Sequence, residues 1–173
     1  ANSPDAVLAP KVSTPEQIAS LQKAIPSGCD LWIMIETPQS IFNLPALAAC
    51  AQTTRLTGFV MGTNDLAKEM RANLVPGRAP MMSALTLAVL AARQYGLTIL
   101  DGVYNHISDP QGFAAECQQG ADMGFDGKTL IHPSQLDLCH EAFGPSAAEV
   151  EQARKIVAAF AAPENAGKGV LKI

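Results

Sequence analysis

Apolar and polar positions alternate along this chain on two scales. Short runs suited to strands, at residues 6–9, 31–35, 56–61, 98–100 and 127–131, are separated by longer stretches in which apolar residues recur at helical spacing. That alternation marks repeated βα units, and five can be counted. Thr14, with Pro15 at the first helical position and Gln17 three residues on, predicts a capping box at the start of the first helix. A second helix is expected over about 45–51 with Asn43 as its N-cap, and the run 56–61 leads into Gly62-Thr63-Asn64-Asp65, read as a loop. Pro76, Gly77, Arg78 and Pro80 break the pattern before a long helix over about 82–95, which Gly96 closes. Asp109 and Pro110 open a further helix running to about Met123. Ser146 and Glu149 form another capping box, before a helix striped by Val150, Ala153, Val157 and Phe160; residues 164–173 read as a loop.

At 173 residues and 48% apolar content, the chain is long enough for one domain with a full core, 1–173. Aromatics are only 5%, while Ala, Leu and Val abound, which suits helices packed on a parallel sheet. The expected class is α/β. A closed eight-stranded barrel needs roughly 250 residues, so five units are either part of such a barrel or an open doubly wound sheet. Unit spacing alone does not separate the two. Twelve Lys and Arg against sixteen Asp and Glu give a net charge of −4 without a basic run, so no nucleic-acid partner is expected. The longest apolar stretch, 84–92, falls far short of the ~20 residues that cross a bilayer. Ala1-Asn2-Ser3-Pro4-Asp5 has neither an initiator Met nor a signal-like region; the chain reads as trimmed rather than targeted, and cytoplasmic. Cys29, Cys50, Cys117 and Cys139 show no C-x-x-C spacing and are expected to be buried, reduced thiols.

The chemistry gathers where apolar runs end. Glu36 follows one run and Asp65 lies just beyond the next, and carboxylates at the carboxyl ends of neighbouring parallel strands converge on one face. Either acid alone is as readily a solvated loop charge. The pair meets the requirement of a hard divalent cation, which takes one or two carboxylates plus waters and substrate oxygens. Gly62 would let backbone amides approach a bound carboxylate closely. Asp101 is read as an outer group or as loop structure, and Lys11 as an anion contact or the partner of a nearby carboxylate, with the structural reading preferred for both. His132 reads as a satisfied histidine rather than a base, and His106 and His140 carry no supporting pattern. There is no G-x-S-x-G, P-loop or G-x-G-x-x-G run.

In order, the chain carries Ile33-Met34-Ile35-Glu36-Thr37-Pro38, Asn43-Leu44, Gly62-Thr63-Asn64-Asp65-Leu66-Ala67, Pro76-Gly77-Arg78, Asp101-Gly102-Val103-Tyr104, Gly124-Phe125-Asp126-Gly127-Lys128 and Ile131-His132-Pro133-Ser134-Gln135. This series resembles the citrate lyase β-subunit family, among the phosphoenolpyruvate/pyruvate-type barrels, over nearly the whole chain. The first motifs are also similar to the HpcH/HpaI class II pyruvate aldolases. The resemblance implies a TIM (β/α)8 barrel present in part, about strands 4 to 8, with residues 164–173 leading to a carboxyl-terminal lid expected beyond Ile173. It implies Mg2+ held by Glu36 and Asp65, and substrate bound at Glu36, Gly62, Thr63 and Asn64. The implied reaction cleaves a 3-hydroxyacyl thioester of the citryl-CoA, malyl-CoA or citramalyl-CoA type to acetyl-CoA and a 2-oxo acid. An acyl-CoA or acyl-carrier thioester is the implied partner, and a homotrimer or hexamer the implied assembly. The family's substrate-clamping Arg belongs to strands expected before Ala1, so this chain alone is expected to be inactive. The alternatives are an aldolase acting on free 2-oxo acids, or a non-catalytic assembly module whose open sheet edges need covering.

Overall fold

Strand runs with alternate residues buried, joined by amphipathic helices, can hide their apolar surface only by stacking as layers. The computed structural model describes residues 4–171 and shows that arrangement. Strands β1 (Ala6–Ala9), β2 (Asp30–Ile35), β3 (Leu56–Met61), β4 (Thr98–Asp101) and β5 (Gly127–Lys128) form one parallel sheet in the order β1-β2-β3-β4-β5. The helices are α1 (Pro15–Ala24), α2 (Pro38–Phe42), α3 (Leu44–Ala49), α4 (Thr63–Met70), α5 (Met82–Gln94), α6 (Pro110–Met123), α7 (Leu136–Phe143) and α8 (Ala147–Ala161). Each strand pairs with its successor, without the reversal of order that defines a doubly wound sheet.

One face of the sheet carries the core. Leu31, Ile33 and Ile35 of β2, Phe59 and Met61 of β3 and Ile99 of β4 pack with Ile18 of α1, Leu47 of α3, Leu66 of α4 and Leu85 of α5. Each such side chain, fully buried, contributes about 1.5–3 kcal/mol. The opposite face is only partly covered: Val60 is buried, but Leu8 is 43% exposed, and Trp32, Met34 and Leu100 are half-buried. Trp32 lies flat on Gly58, where a Cβ would sit 2.7 Å from the indole.

Capping follows the sequence at Thr14, Asp109 and Ser146. Elsewhere the structure corrects it. Asn43 makes no cap bond; its amide donates to the Ser13 carbonyl (2.8 Å), and the helix it was expected to start is preceded by α2, capped by Thr37 with Ser40. Gly62-Thr63-Asn64-Asp65 is not a loop, because Gly62 is the N-cap of α4. The fifth strand ends at Lys128: Thr129 gives both its amide and its hydroxyl to the Asp101 carbonyl, and the Ile131 amide turns to Gln135. The stripe on α8 stays unpacked, with no buried residue on that helix and Val157 68% exposed. Cys50 is half-buried rather than buried. Residues 172 and 173 of the expected terminal loop lie outside the described residues. No helix among the described residues is long and apolar enough to cross a membrane.

Candidate metal centre

The site is built where β2 and β3 end side by side. Ile35 pairs with Met61, so the residues that follow each strand emerge together: Glu36 directly after β2, and Gly62 with the first turn of α4 after β3. The Gly62 amide donates to the Ile35 carbonyl (3.0 Å) and holds the two exits in register. Glu36 is only 2% exposed. Its Oε1 accepts from the Lys11 amide at 2.7 Å, and its Oε2 lies so close to Gly62 that a Cβ there would be 2.5 Å away. Position 62 therefore excludes any side chain. Burial pushes the Glu36 carboxyl above its usual range, the Lys11 amide opposes that shift, and the nearby Asp65 carboxylate adds to it. Asp65 is half-buried in the first turn of α4.

Glu36 and Asp65 face a cavity of ≈ 260 Å³ whose floor is Leu8, Met34 and Val60 from the partly covered face of the sheet. Thr63 and Val103 also line a neighbouring cavity of ≈ 340 Å³ bounded by Pro76, Arg78, Tyr104, His106 and Asp109. A larger cleft, ≈ 1110 Å³, runs along α8 and shares no residue with either.

Of the sequence-predicted residues, the structure brings Glu36, Gly62, Thr63, Asn64 and Asp65 to one cavity. Thr63 is buried, its hydroxyl against Gly102. Asn64 is exposed and paired through its side-chain amide with Asn105, at 3.1 and 2.8 Å. Asp101 does not reach this cavity. It is fully buried, bound by Arg78 Nη1 (2.7 Å to each oxygen) and by Lys128 Nζ (3.0 Å), and Lys128 also holds Glu116 (2.7 Å). This ion cluster balances two positive against two negative groups and was not foreseen, since its members are scattered over 78–128. Lys11 touches Glu36 through its backbone, with its side chain exposed. His132 is exposed, and its ring accepts from the Ser134 amide. Sequence reading also missed Tyr104, whose hydroxyl donates to Asp109 (2.7 Å); burial, then Asp109, push it up to about 12.

The donor set suits a hard divalent cation. Two carboxylates meet beside the floor of Leu8, Met34 and Val60, and among the described residues no third His, Cys, Asp or Glu joins them, so a cation here would take its remaining ligands from water or substrate oxygens, as magnesium does. The first turn of α4, whose residues Thr63, Asn64 and Asp65 line this cavity, has no side-chain cap, and uncapped amides at a helix start carry partial positive charge suited to an anion.

Known proteins share this architecture. A (3S)-malyl-CoA thioesterase of Cereibacter sphaeroides is 51% identical over 166 residues, which is 96% of this chain and 57% of that protein. The citrate lyase subunit beta of Escherichia coli is 31% identical over 179 residues, covering 98% of this chain and 59% of its own length. The crystal structure of CitE from Mycobacterium tuberculosis in complex with magnesium, acetoacetate and coenzyme A superposes with a TM-score of 0.72 at 26% identity, over 90% of this chain and 57% of that one. The chain thus spans less than two thirds of these relatives. The family model for HpcH/HpaI aldolase/citrate lyase matches residues 1–133, and the chain belongs to that family.

Proposed function

We propose that this chain carries the metal-binding half of an active site that cleaves a carbon–carbon bond in a 3-hydroxyacyl thioester of the citryl-CoA, malyl-CoA or citramalyl-CoA type, yielding acetyl-CoA and a 2-oxo acid. The observation that carries the reading is the convergence of Glu36 and Asp65 on one cavity beside the uncapped start of α4. The CitE complex with magnesium, acetoacetate and coenzyme A supports it. In this reading Glu36 and Asp65 hold Mg2+, which when bound supplies Lewis acidity toward the substrate oxygens, worth several kcal/mol. The α4 amides receive the substrate carboxylate, Gly62 leaves room for the Glu36 carboxylate beside it, and Thr63 and Asn64 line the substrate's seat. The floor of Leu8, Met34 and Val60 offers an apolar surface beside the reacting carbons.

The sheet is proposed to be an arc of a TIM (β/α)8 barrel, about strands 4 to 8. Its sequential strand order, its single fully covered face and a span of 57–59% of the curated relatives support that. The half-exposed face would then be barrel interior. A homo-oligomer is part of the same proposal.

A second reading is hydrolysis of the thioester, favoured by the 51% identity to a malyl-CoA thioesterase. Full-length protein incubated with malyl-CoA, citramalyl-CoA or citryl-CoA and Mg2+ separates the two. Cleavage of malyl-CoA gives glyoxylate and acetyl-CoA with no free thiol, whereas hydrolysis gives malate and a thiol titratable with Ellman's reagent. Turnover of free 2-oxo acid aldols independent of coenzyme A would favour the aldolase alternative. Activity unaffected by E36Q and D65N would overturn the site.

A further inference from the structure

We infer that Lys11 is a positioning residue for Glu36 and that it acts through its backbone amide, not its ammonium. This rests on the reading of Glu36 as a metal ligand. Lys11 follows the end of β1 with φ +54°, one of three non-glycine residues among those described in the left-handed region. For an L-residue that conformation is disfavoured by the approach of Cβ to the backbone carbonyl, and it persists only where the surroundings enforce it. Here they do. Before the bend Ala9 is paired with Ile33 of β2, and beyond it Ser13 Oγ lies 2.8 Å from Thr37 Oγ1 while Asn43 Nδ2 donates to the Ser13 carbonyl at 2.8 Å, so the chain is fixed on both sides of Lys11.

The bend turns the Lys11 N–H onto Glu36 Oε1 at 2.7 Å, a short, charge-assisted contact. The side chain contributes less: it is exposed, among the described residues it forms no ion pair, and its charge is the weakest of the influences on the Glu36 carboxyl, behind the backbone amide. With Oε1 engaged, the carboxylate is held between the Lys11 amide on one side and Gly62 on the other, and Oε2 stays beside Gly62 at the cavity. Without the amide, a nearly fully buried carboxylate close to Asp65 has reason to rotate away from it. The amide thus fixes which Glu36 oxygen is available to the cation, as outer partners of metal ligands do.

The test is Mn2+ binding to the full-length protein, followed by the electron paramagnetic resonance of free Mn2+, with Mg2+ competition by calorimetry. K11A and K11G keep the amide, and K11G relieves the strain; both are expected to bind within about threefold of wild type. K11V resists the left-handed backbone and K11P removes the N–H; each is expected to weaken binding about tenfold or more. Circular dichroism checks folding, and if K11P does not fold, the comparison of K11V with K11G decides. Loss in K11A equal to that in K11V, or wild-type affinity in K11V and K11P while E36Q and D65N fail to bind, overturns the positioning role. Wild-type affinity in E36Q and D65N would instead overturn the metal-site reading itself.

Discussion

Replacing Lys128 with Met tests the buried ion cluster most directly. Lys128 and Asp101 have fully buried side chains, Arg78 is 4% exposed and Glu116 16%. Lys128 Nζ reaches Asp101 at 3.0 Å and Glu116 at 2.7 Å. Met fills much the same volume, so packing changes little, but the cluster goes from neutral to one uncompensated negative charge. Asp101 keeps Arg78 and the Gly102 amide, whereas Glu116 keeps only a 3.8 Å approach of Arg78 Nε. Breaking a buried pair by removing one partner costs about 3–5 kcal/mol. For a domain of this size that is about 6–20 °C in Tm. Urea unfolding followed by circular dichroism measures the loss as a shift in midpoint at unchanged slope. Adding E116Q removes the stranded charge, so the double variant should be less destabilised than the sum of the singles by about 1–3 kcal/mol. A Lys128→Met protein within about 1 kcal/mol of wild type would refute the claim that the ammonium is what keeps these carboxylates in the interior.

Three further outcomes follow from the site and the sheet. In Gly62→Ala the new methyl displaces the Glu36 carboxylate by roughly 1 Å, several times the ~0.2 Å tolerance of a metal–ligand distance, so Mn2+ affinity should fall at least about tenfold; an unchanged affinity would sink the close-approach argument. Burial raises the folded-state carboxyl of Glu36 above its unfolded value, so its ionisation opposes folding at neutral pH, and this penalty vanishes as pH falls through the folded pKa. E36Q should therefore stabilise the metal-free protein at pH 7, stabilise it less toward pH 4, and abolish stabilisation by added Mg2+; scanning calorimetry at the two pH values reads all three. Gly58→Ala should cost about 1–3 kcal/mol by lifting the Trp32 indole, visible in chemical unfolding and as a shift in Trp32 fluorescence; neither changing would argue that the indole is not seated on the sheet.

Much of this protein could be read along the chain because it depends on neighbours close in sequence. The βα alternation, the caps at Thr14, Asp109 and Ser146 and the glycine stop after α5 are settled within a few residues of themselves. The motifs around Glu36 and Asp65 were equally visible, since each lies beyond a strand whose end is marked by its apolar run. What the sequence left open depends on packing between distant segments. Asn43 carries the composition of a helix cap, yet a carbonyl thirty residues earlier takes its amide. Asp101 was a third acid at a strand end; only the convergence of Arg78, Lys128 and Glu116 removes it from the metal site. Lys11 carried a charge that invited a salt bridge, whereas the fold uses its N–H. Residue type and spacing thus determined the α/β class and the candidate ligands, because those rest on local periodicity and strand exits. Tertiary structure alone decided the one-sided sheet, the ion cluster and the clamp on Glu36, because these depend on which backbone and side-chain groups meet after the strands have stacked.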